Sequence, residues 1–379
     1  MYKFFSAVIF FYIFSACEEQ SDNGITDTAN YGITFGGNQV DIGYFGQKTK
    51  DGGFVIAGLT KSYAASGTDV WLIKTDQKGQ PEWDKTYGGL GEDYGLCVKE
   101  LDNGGYVVVG SALIKTQSQG TEVWTNEEIS GNALQIDGDG GFIIVGVLND
   151  NISIIKTNSD GVQMWTKQYN IDNVDIANSI EPASDGCFII SGCTDCESYP
   201  ELFLMKINEL GDSLWTKIYG GSENESGAHA IQTEDGGFIV TGHTGTYGDG
   251  LNDLWLLKTD SAGDSVWTQT HGGSSLDEGT FIQQTDDGGY IITGINFSLA
   301  LPDYGDAWLL KTDSLGLKIW ENTFGGVGLD WGRTVQVTED GGYAITGWRE
   351  NVLNDQADSQ VWLILTDSQG QAEPTGQTN

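Results

Sequence analysis

The chain has 379 residues with a formal net charge of −36, because 54 acidic residues outnumber 18 basic ones. Such a surface repels phosphate backbones and anionic lipid headgroups, so we expect no nucleic-acid partner and no direct binding to a membrane surface. Gly occurs 55 times, beside 12 Trp, 15 Tyr and 15 Phe. This aromatic content excludes a disordered low-complexity chain, so the Gly residues must serve turns in a folded protein.

The first sixteen residues have the pattern of a signal peptide. Lys3 precedes an apolar run from Phe4 to Phe14, which is too short to cross a bilayer as a helix. The run ends in Ser15-Ala16-Cys17, which resembles a bacterial lipobox and implies a diacylglycerol on Cys17. An ordinary signal peptide before a chance cysteine is the alternative.

Residues 17–30 are polar and acidic, which predicts a tether between the lipid and the folded domain. The acidic pair directly after Cys17 resembles lipoproteins of some Gram-negative bacteria that are sent to the outer face of the outer membrane. Membrane contact is then expected only through the N-terminal lipid.

A motif close to DGGYIITG occurs seven times. The copies begin at Asp51, Asn103, Asp139, Asp185, Asp235, Asp287 and Asp340, with spacings of 52, 36, 46, 50, 52 and 53 residues. Periods near 50 made of strand-like sequence predict a β-propeller. Each unit reads as four strands, A to D. The DGG turn joins A to B, an apolar segment such as DLWLLKTD at Asp253 forms C, and a segment carrying a Trp forms D.

Ten of the twelve Trp residues occupy repeat positions. Six share one position of strand D: Trp83, Trp124, Trp165, Trp215, Trp267 and Trp320; four share one position of strand C: Trp71, Trp255, Trp308 and Trp362. We expect these side chains to pack between neighbouring blades.

The two ends of the repeat region complement each other. The last unit stops after its strand C at Val361–Thr366, while Tyr31 near the N-terminus stands four residues before Phe35-Gly36-Gly37, as the strand D Trp does elsewhere. The N-terminal strand therefore supplies the missing strand D and closes the ring, which removes open sheet edges. We predict an all-β, seven-bladed propeller over residues 31–370, a flexible tail at 371–379, and a monomer.

The repeat resembles those of secreted and surface β-propeller proteins of bacteria and archaea, some of which are grouped with endoglucanases. Its KTDSxGxxxW part is also similar to quinoprotein-type repeats, including those of lipid-anchored outer-membrane assembly scaffolds. The resemblance carries no catalytic residues. Quinone enzymes of this type have eight blades and a disulfide between adjacent cysteines, and this sequence predicts seven blades and has no adjacent cysteine pair, so no quinone is expected.

Cys193 and Cys196 form an isolated C-x-x-C pair. No second pair and no nearby His complete a zinc site, whereas a local disulfide is possible outside the cytoplasm. Among the three His residues, His271 takes the aromatic position before Gly-Gly and His229 lies in strand A; with no serine elbow or His cluster, we assign no catalytic residue.

Six units carry an acid ten residues before the Asp or Asn of the DGG motif: Asp41, Asp93, Asp175, Glu225, Asp277 and Asp330. One interpretation is that each carboxylate braces the D–A turn by accepting backbone N–H bonds. The other is an acidic ring that binds Ca²⁺. Six acids spread around a ring are too far apart for one ion, so such a site would need ligands from one loop, such as Asp249, Asn252 and Asp253. No other cofactor is expected.

We expect a ligand to bind on the face that carries the B–C and D–A loops. The B–C connections are long in blades 4 to 7 and 1 and short in blades 2 and 3. Two Trp residues outside the repeat positions, Trp331 and Trp348, fall on this face and are expected to be exposed anchors. The other candidates there are Arg349, Tyr304, Tyr247 and Tyr94. The alternative is that these aromatic residues pack beneath long loops.

These features together predict a lipid-anchored, non-enzymatic binding protein of the outer membrane, facing the cell surface, with a protein or polysaccharide partner. One alternative is a glycoside hydrolase or lyase on a propeller frame. Another is an outer-membrane assembly scaffold facing the periplasm.

Overall fold

The computed structural model describes residues 31–300, 304–351 and 358–372, which form 28 β-strands in seven four-stranded antiparallel sheets. The chain is a seven-bladed β-propeller, as the sequence predicts.

The strands of each blade are given in the order A to D. Blade 1 comprises β2 (Asp41–Lys48), β3 (Phe54–Thr60), β4 (Asp69–Thr75) and β5 (Pro81–Tyr87). Blade 2 comprises β6 (Gly95–Glu100), β7 (Tyr106–Gly110), β8 (Leu113–Thr116) and β9 (Glu122–Asn126). Blade 3 comprises β10 (Ala133–Ile136), β11 (Phe142–Leu148), β12 (Asn151–Thr157) and β13 (Gln163–Tyr169). Blade 4 comprises β14 (Ile176–Pro182), β15 (Phe188–Thr194), β16 (Glu201–Ile207) and β17 (Ser213–Tyr219); blade 5 comprises β18 (Glu225–Gln232), β19 (Phe238–Thr244), β20 (Asp253–Thr259) and β21 (Ser265–His271). Blade 6 comprises β22 (Asp277–Gln284), β23 (Tyr290–Asn296), β24 (Asp306–Thr312) and β25 (Lys318–Phe324); blade 7 comprises β26 (Asp330–Val337), β27 (Tyr343–Asn351), β28 (Asp358–Thr366) and β1 (Ile33–Phe35).

The N-terminal strand closes the ring. β1 pairs antiparallel with β28, with Ile33 opposite Leu363 and Phe35 opposite Val361. The indole N–H of Trp362 donates to the carbonyl of Tyr31, 2.6 Å away, and so extends the pairing towards the N-terminus. The predicted closure is confirmed.

The closing seam differs from the other six in one respect. The Tyr31 ring packs edge-on against Phe324 of blade 6, with centroids 5.8 Å apart, rather than against blade 1. The seam towards blade 1 is filled by aliphatic groups instead: a Cβ added at Gly79 would lie 2.7 Å from Ile33. Ile33 lies two residues after Tyr31. It covers Gly79 in the C–D turn of blade 1, whereas the strand D Trp covers the equivalent Gly at other seams.

The DGG motif carries an ion pair within most blades. In blade 6, Asp287 accepts the backbone N–H of Gly289, and Gly288 takes a positive φ of 77° that the tight turn needs. The buried Lys311 at the end of strand C reaches the same carboxylate at 2.8 Å. Equivalent pairs are Lys74–Asp51, Lys156–Asp139, Lys206–Asp185 and Lys258–Asp235.

The strand D Trp residues pack against the next blade, as predicted. Trp267 of blade 5 faces Tyr290 of blade 6, with ring centroids 6.3 Å apart. The C–D turn of the next blade also lies on this ring, because a Cβ added at Gly316 would come within 2.7 Å of Trp267. Gly316 is thus fixed both by its φ of 75° and by the close approach of the indole.

Strands B and C supply the cores between blades. Ile239, Leu254 and Leu256 of blade 5 pack with Ile292 and Trp308 of blade 6, all buried. Their near-continuous burial explains why these strands read as apolar runs instead of alternating patterns. No helix among the described residues is long and apolar enough to cross a membrane.

We expect Asp287→Asn to lower the free energy of unfolding by about 1–2 kcal/mol, because the buried Lys311 loses its counter-charge while Asn still accepts the turn N–H. Chemical denaturation measures this change. Asp340→Asn is the matched control, since strand C of blade 7 has Leu365 at the position that Lys311 holds in blade 6. Equal losses in the two variants would contradict the role given to the ion pair.

The same pair predicts an acid dependence. Burial opposes ionisation of Asp287, but the hydrogen bonds from Lys311, Thr285 and Gly289 together with the charge of Lys311 outweigh it and lower the pKa from 3.8 to about 2. A lowered native pKa gives stability that is present above the unfolded-state pKa and is lost as pH falls from about 4 to 2. Wild type should therefore lose more stability than Asp287→Asn over this window, as measured by thermal unfolding at each pH.

A chain starting at residue 38 should unfold at a much lower temperature than a chain starting at residue 31, or should aggregate, because it lacks β1 and exposes β28 as a free edge. Calorimetry and size-exclusion chromatography on both truncations measure the difference. Identical melting temperatures would show that ring closure contributes nothing.

Candidate functional site at the mouth of the central channel

The innermost strands of the seven blades surround the axis of the ring. Each strand A lies against strand A of the next blade, including β26 of blade 7 against β2 of blade 1. We call the end of the channel where these strands begin the top face. It carries the D–A and B–C loops, while the DGG turns lie at the other end.

Side chains from five blades meet in the middle of the channel. The His229 ring stacks on Phe281 at 3.8 Å, and Phe281 lies 6.0 Å from Phe45. Lys99 lies over Phe45 and 3.4 Å from Glu181, which also contacts His229. Burial would raise the pKa of Glu181, but Lys99 and His229 hold it below its usual value. The ion pair and the stacked rings therefore cross the axis and join distant blades.

Arg333 lies closer to the top face than these side chains, between two aromatic rings. Its guanidinium carbon lies 5.7 Å from the ring centroids of both Tyr44 and Trp331. It is half-buried and makes no hydrogen bond or ion pair within the part of the chain that the structure describes. Burial lowers its pKa from the usual value, but the group stays charged at neutral pH. Its N–H donors are therefore open to a ligand in the channel.

A β-bulge places Arg333 there. The pairing of β26 with β27 shifts register between Gly332 and Thr334, so Arg333 is the extra residue of the bulge. Tyr44 occupies the equivalent bulge position of blade 1, between Gly43 and Phe45. Bulges commonly redirect side chains next to binding sites.

Two further side chains complete the mouth. Tyr94 is half-buried and close enough to Tyr44 for its charge to affect the Tyr44 pKa, which burial raises to about 12. Glu278 is 7 % exposed, interacts electrostatically with Arg333, and lies 3.7 Å from His243. We call Tyr44, Tyr94, Glu278, Trp331 and Arg333 the mouth cluster.

The expectation that Trp331 and Trp348 are exposed anchors is wrong. They are 5 % and 7 % exposed, and their rings lie 6.3 Å apart in an apolar cluster with Ile42 and Ile295. Long top-face loops and neighbouring blades cover them, which is the alternative that the sequence left open. The Trp331 indole N–H has no hydrogen-bond partner among the described residues.

The other sequence-predicted residues do not gather at one place. Arg349 is buried, with its Nε 3.7 Å from Asp330 and its guanidinium over Trp362, so it has a structural position. Tyr247 is exposed and donates its hydroxyl hydrogen bond to the Gly220 carbonyl. Tyr304 is half-buried. Of the six candidates, Tyr94 and Trp331 belong to the mouth cluster.

The recurring acids brace the top-face turns. Asp277 shows the arrangement: Oδ2 accepts the N–H of Gly273, Oδ1 accepts those of Phe297 and Ser298, and its own N–H donates to Asn252 of the preceding blade. The first of these bonds recurs as Gly37–Asp41, Gly89–Asp93, Ile171–Asp175, Gly221–Glu225 and Gly326–Asp330. Each acid thus fixes a turn and also links two blades.

The predicted calcium ligands Asp249, Asn252 and Asp253 do not converge. The buried Asp253 uses Oδ2 to accept the N–H groups of Asp249 and Gly250, and the Asp249 side chain is exposed. Within the described ranges, no three His, Cys, Asp or Glu side chains are grouped so as to hold a metal ion.

The B–C loop of blade 4 borders an acidic groove. A disulfide joins Cys193, near the end of β15, to Cys196 in this loop. The groove has a volume of about 280 Å³ and is lined by Asp172, Asp195, Tyr199, Glu201, Gly221, Ser222 and Glu223. Tyr199 is 71 % exposed at its edge. Beside it, blades 2 and 3 have only residues 111–112 and 149–150 between strands B and C, against 61–68 in blade 1 and 245–252 in blade 5.

No protein-family model matches the chain, and no curated protein matches it. Solved structures do. The Neurospora crassa Pan2 WD40 domain is 10 % identical with a TM-score of 0.50, covering 90 % of this chain and 91 % of that one. A chain in the complex of Drosophila Plexin A with Semaphorin 1b is 8 % identical with a TM-score of 0.56, at 89 % and 87 % coverage. Puromycin hydrolase is 13 % identical with a TM-score of 0.53, at 93 % and 57 % coverage. At these identities the comparisons show the propeller fold alone.

Proposed function

We propose that the protein is a lipid-anchored binding protein of the cell envelope that docks a partner protein on the mouth cluster. The observation that carries this proposal is Arg333, a guanidinium with open donors held between two aromatic rings. Such a group is costly to bury unless something pairs with it, and Arg between aromatic side chains is typical of binding hot spots. The partner would supply the missing acceptor.

The surroundings of Arg333 favour a protein surface over a small polar molecule. Leu276, Phe297 and Leu329 are half-buried around the apolar cluster of Trp331 and Trp348. Apolar side chains around a central Arg match the core of a protein interface, where aromatic residues and Arg are enriched. The comparison with the Plexin A complex supports a propeller that binds another protein.

A polysaccharide partner and a hydrolase are the two rival functions. The comparison with puromycin hydrolase favours the second, although this chain spans 57 % of that one. A hydrolase would turn over a substrate, whereas a binding protein would retain its partner unchanged. Incubation with labelled polysaccharides and peptides separates the three functions, because retained label identifies the bound class and mass analysis reveals any hydrolysis products.

Arg333→Gln should weaken capture of the partner at least tenfold, because Gln is polar but shorter, uncharged and unable to form the guanidinium fork. Quantitative pull-down from envelope extracts measures this change. Lys78→Gln makes the same charge change in an exposed C–D turn at the opposite end and should bind as wild type does. Equal capture by wild type and Arg333→Gln would rule out the mouth cluster as the docking site.

Cys17 lies outside the described residues, and its lipidation is proposed from the sequence. Metabolic labelling with a palmitate analogue should mark the wild type and not Cys17→Ala. Protease shaving of intact cells then separates a cell-surface protein from a scaffold facing the periplasm. A label that persists in Cys17→Ala would contradict the lipobox assignment.

A further inference from the structure

The mouth cluster holds more hydrogen-bond donors than the protein itself satisfies. Beside the N–H groups of Arg333, the hydroxyls of Tyr44 and Tyr94 make no hydrogen bond within the described part of the chain. The indole N–H of Trp331 has no acceptor there either, although the residue is only 5 % exposed. A buried donor without an acceptor is costly, so these groups indicate a site for a ligand that brings acceptors.

The donors lie close together. The guanidinium carbon of Arg333 is 5.7 Å from the ring centroids of Tyr44 and Trp331. The Tyr44 hydroxyl interacts electrostatically with both Arg333 and Tyr94, so these three polar groups form one cluster. One incoming group can therefore meet several donors at once.

The carboxylate of the mouth cluster leaves these donors open. Glu278 acts on Arg333 only electrostatically, and its Oε1 lies 3.7 Å from Nδ1 of His243. Further from the top face, side chains of several blades cross the channel: Phe45, Lys99, Glu181, His229 and Phe281. A ligand that reaches Arg333 therefore enters from the top face.

A carboxylate fits this site better than a phosphate group. A planar guanidinium can hold a carboxylate through two parallel N–H···O bonds, and hydroxyl donors can add to them. The field around the site is negative, because Glu278 lies in the cluster and the protein carries a net charge of −36. Repulsion by this field grows with the charge of the ligand, so it opposes a phosphate dianion about twice as strongly as a singly charged carboxylate.

We propose that the mouth cluster binds one carboxylate of the partner protein, held by the guanidinium of Arg333 and the open hydroxyls of Tyr44 and Tyr94. This inference rests on the proposed function, since the partner docked at the mouth supplies the group. Either an acidic side chain or a C-terminus can do so. The rings of Tyr44 and Trp331 offer apolar contact to the carbon atoms next to the carboxylate.

The sequence offers a direct probe, because Arg333 and Arg349 are its only arginines. Mature protein labelled with ¹⁵N at arginine alone has two side-chain Nε–H signals, which Arg333→Gln assigns. Arg349 is buried beside Asp330 and serves as the internal reference. The titrants are the blocked tripeptide Ala-Asp-Ala, its blocked Asn counterpart, the Asn tripeptide with a free C-terminal carboxylate, and inorganic phosphate.

The Asp tripeptide or the tripeptide with the free C-terminus should move the Arg333 signal and leave that of Arg349 in place. The lower half-saturation of the two identifies the source of the carboxylate. The blocked Asn tripeptide should need at least a tenfold higher concentration. If it acts equally well, or if phosphate saturates the site at a lower concentration than either acid, the proposal is wrong. Equal movement of both signals would indicate a general salt effect and would also overturn it.

A second variant should improve binding, which loss of folding cannot imitate. Glu278→Gln should lower the half-saturation of the acidic tripeptide about threefold or more, because it removes a negative charge that acts on Arg333. Glu223→Gln removes the same charge from an exposed loop of the same face and should leave the half-saturation nearly unchanged. Unchanged or weaker binding in Glu278→Gln would contradict binding at this cluster.

The titration separates this inference from the docking proposal. If Arg333→Gln loses the partner while neither acid moves the wild-type signal, docking at the mouth stands and the carboxylate is wrong. If an acid moves the Arg333 signal while Arg333→Gln captures the partner as wild type does, the cluster binds carboxylates but is not the docking site.

Discussion

The pairing of β1 with β28 is the constraint on which the other features of this protein depend. It spans only three residues, yet it converts a row of seven sheets into a closed ring. In an open row, strands β2 and β26 would not lie side by side, and the side chains that cross the channel would have no opposite wall. Residues as distant in sequence as Tyr44 and Arg333 become neighbours only through this closure. The arrangement of side chains at the central mouth is therefore a consequence of the pairing between the two chain ends.

The repeat could be predicted because its signals are local. A Gly with positive φ after Asp, a Trp in strand D and a Lys at the end of strand C each make contacts within one blade or to the next one, so the same letters recur at each unit. The closing seam shows the limit of this reasoning. Tyr31 keeps the register of the missing Trp, but its ring turns towards Phe324, because Ile33 and Leu363 already fill the space beside Gly79.

The candidate site was less predictable, since it is made by contacts across blades. The burial of Trp331 and Trp348 depends on Ile42 and Ile295, which come from blades 1 and 6 and have no fixed spacing from them. Arg333 was missed because a charged residue in a polar strand reads as a solvated face. A signal was present, however: the strand A bulge position holds Tyr44, Leu96, Asn178, Ala228, Thr280 and Arg333 in six blades, and this variation marks a position that the repeat does not constrain.

The placement of charge connects the two parts of the top face. The bracing acids lie at the start of the strands that lead to the mouth, so the carboxylates of Asp41, Asp277 and Asp330 are within a few residues of Tyr44, Glu278 and Arg333. An anionic ligand approaching Arg333 must pass this acidic rim, and in a protein of net charge −36 the long-range field opposes it. A partner can satisfy both conditions if it presents one acidic group within a basic or neutral surface. The rim would then attract the basic surface over a distance, and Arg333 would select the acidic group on contact.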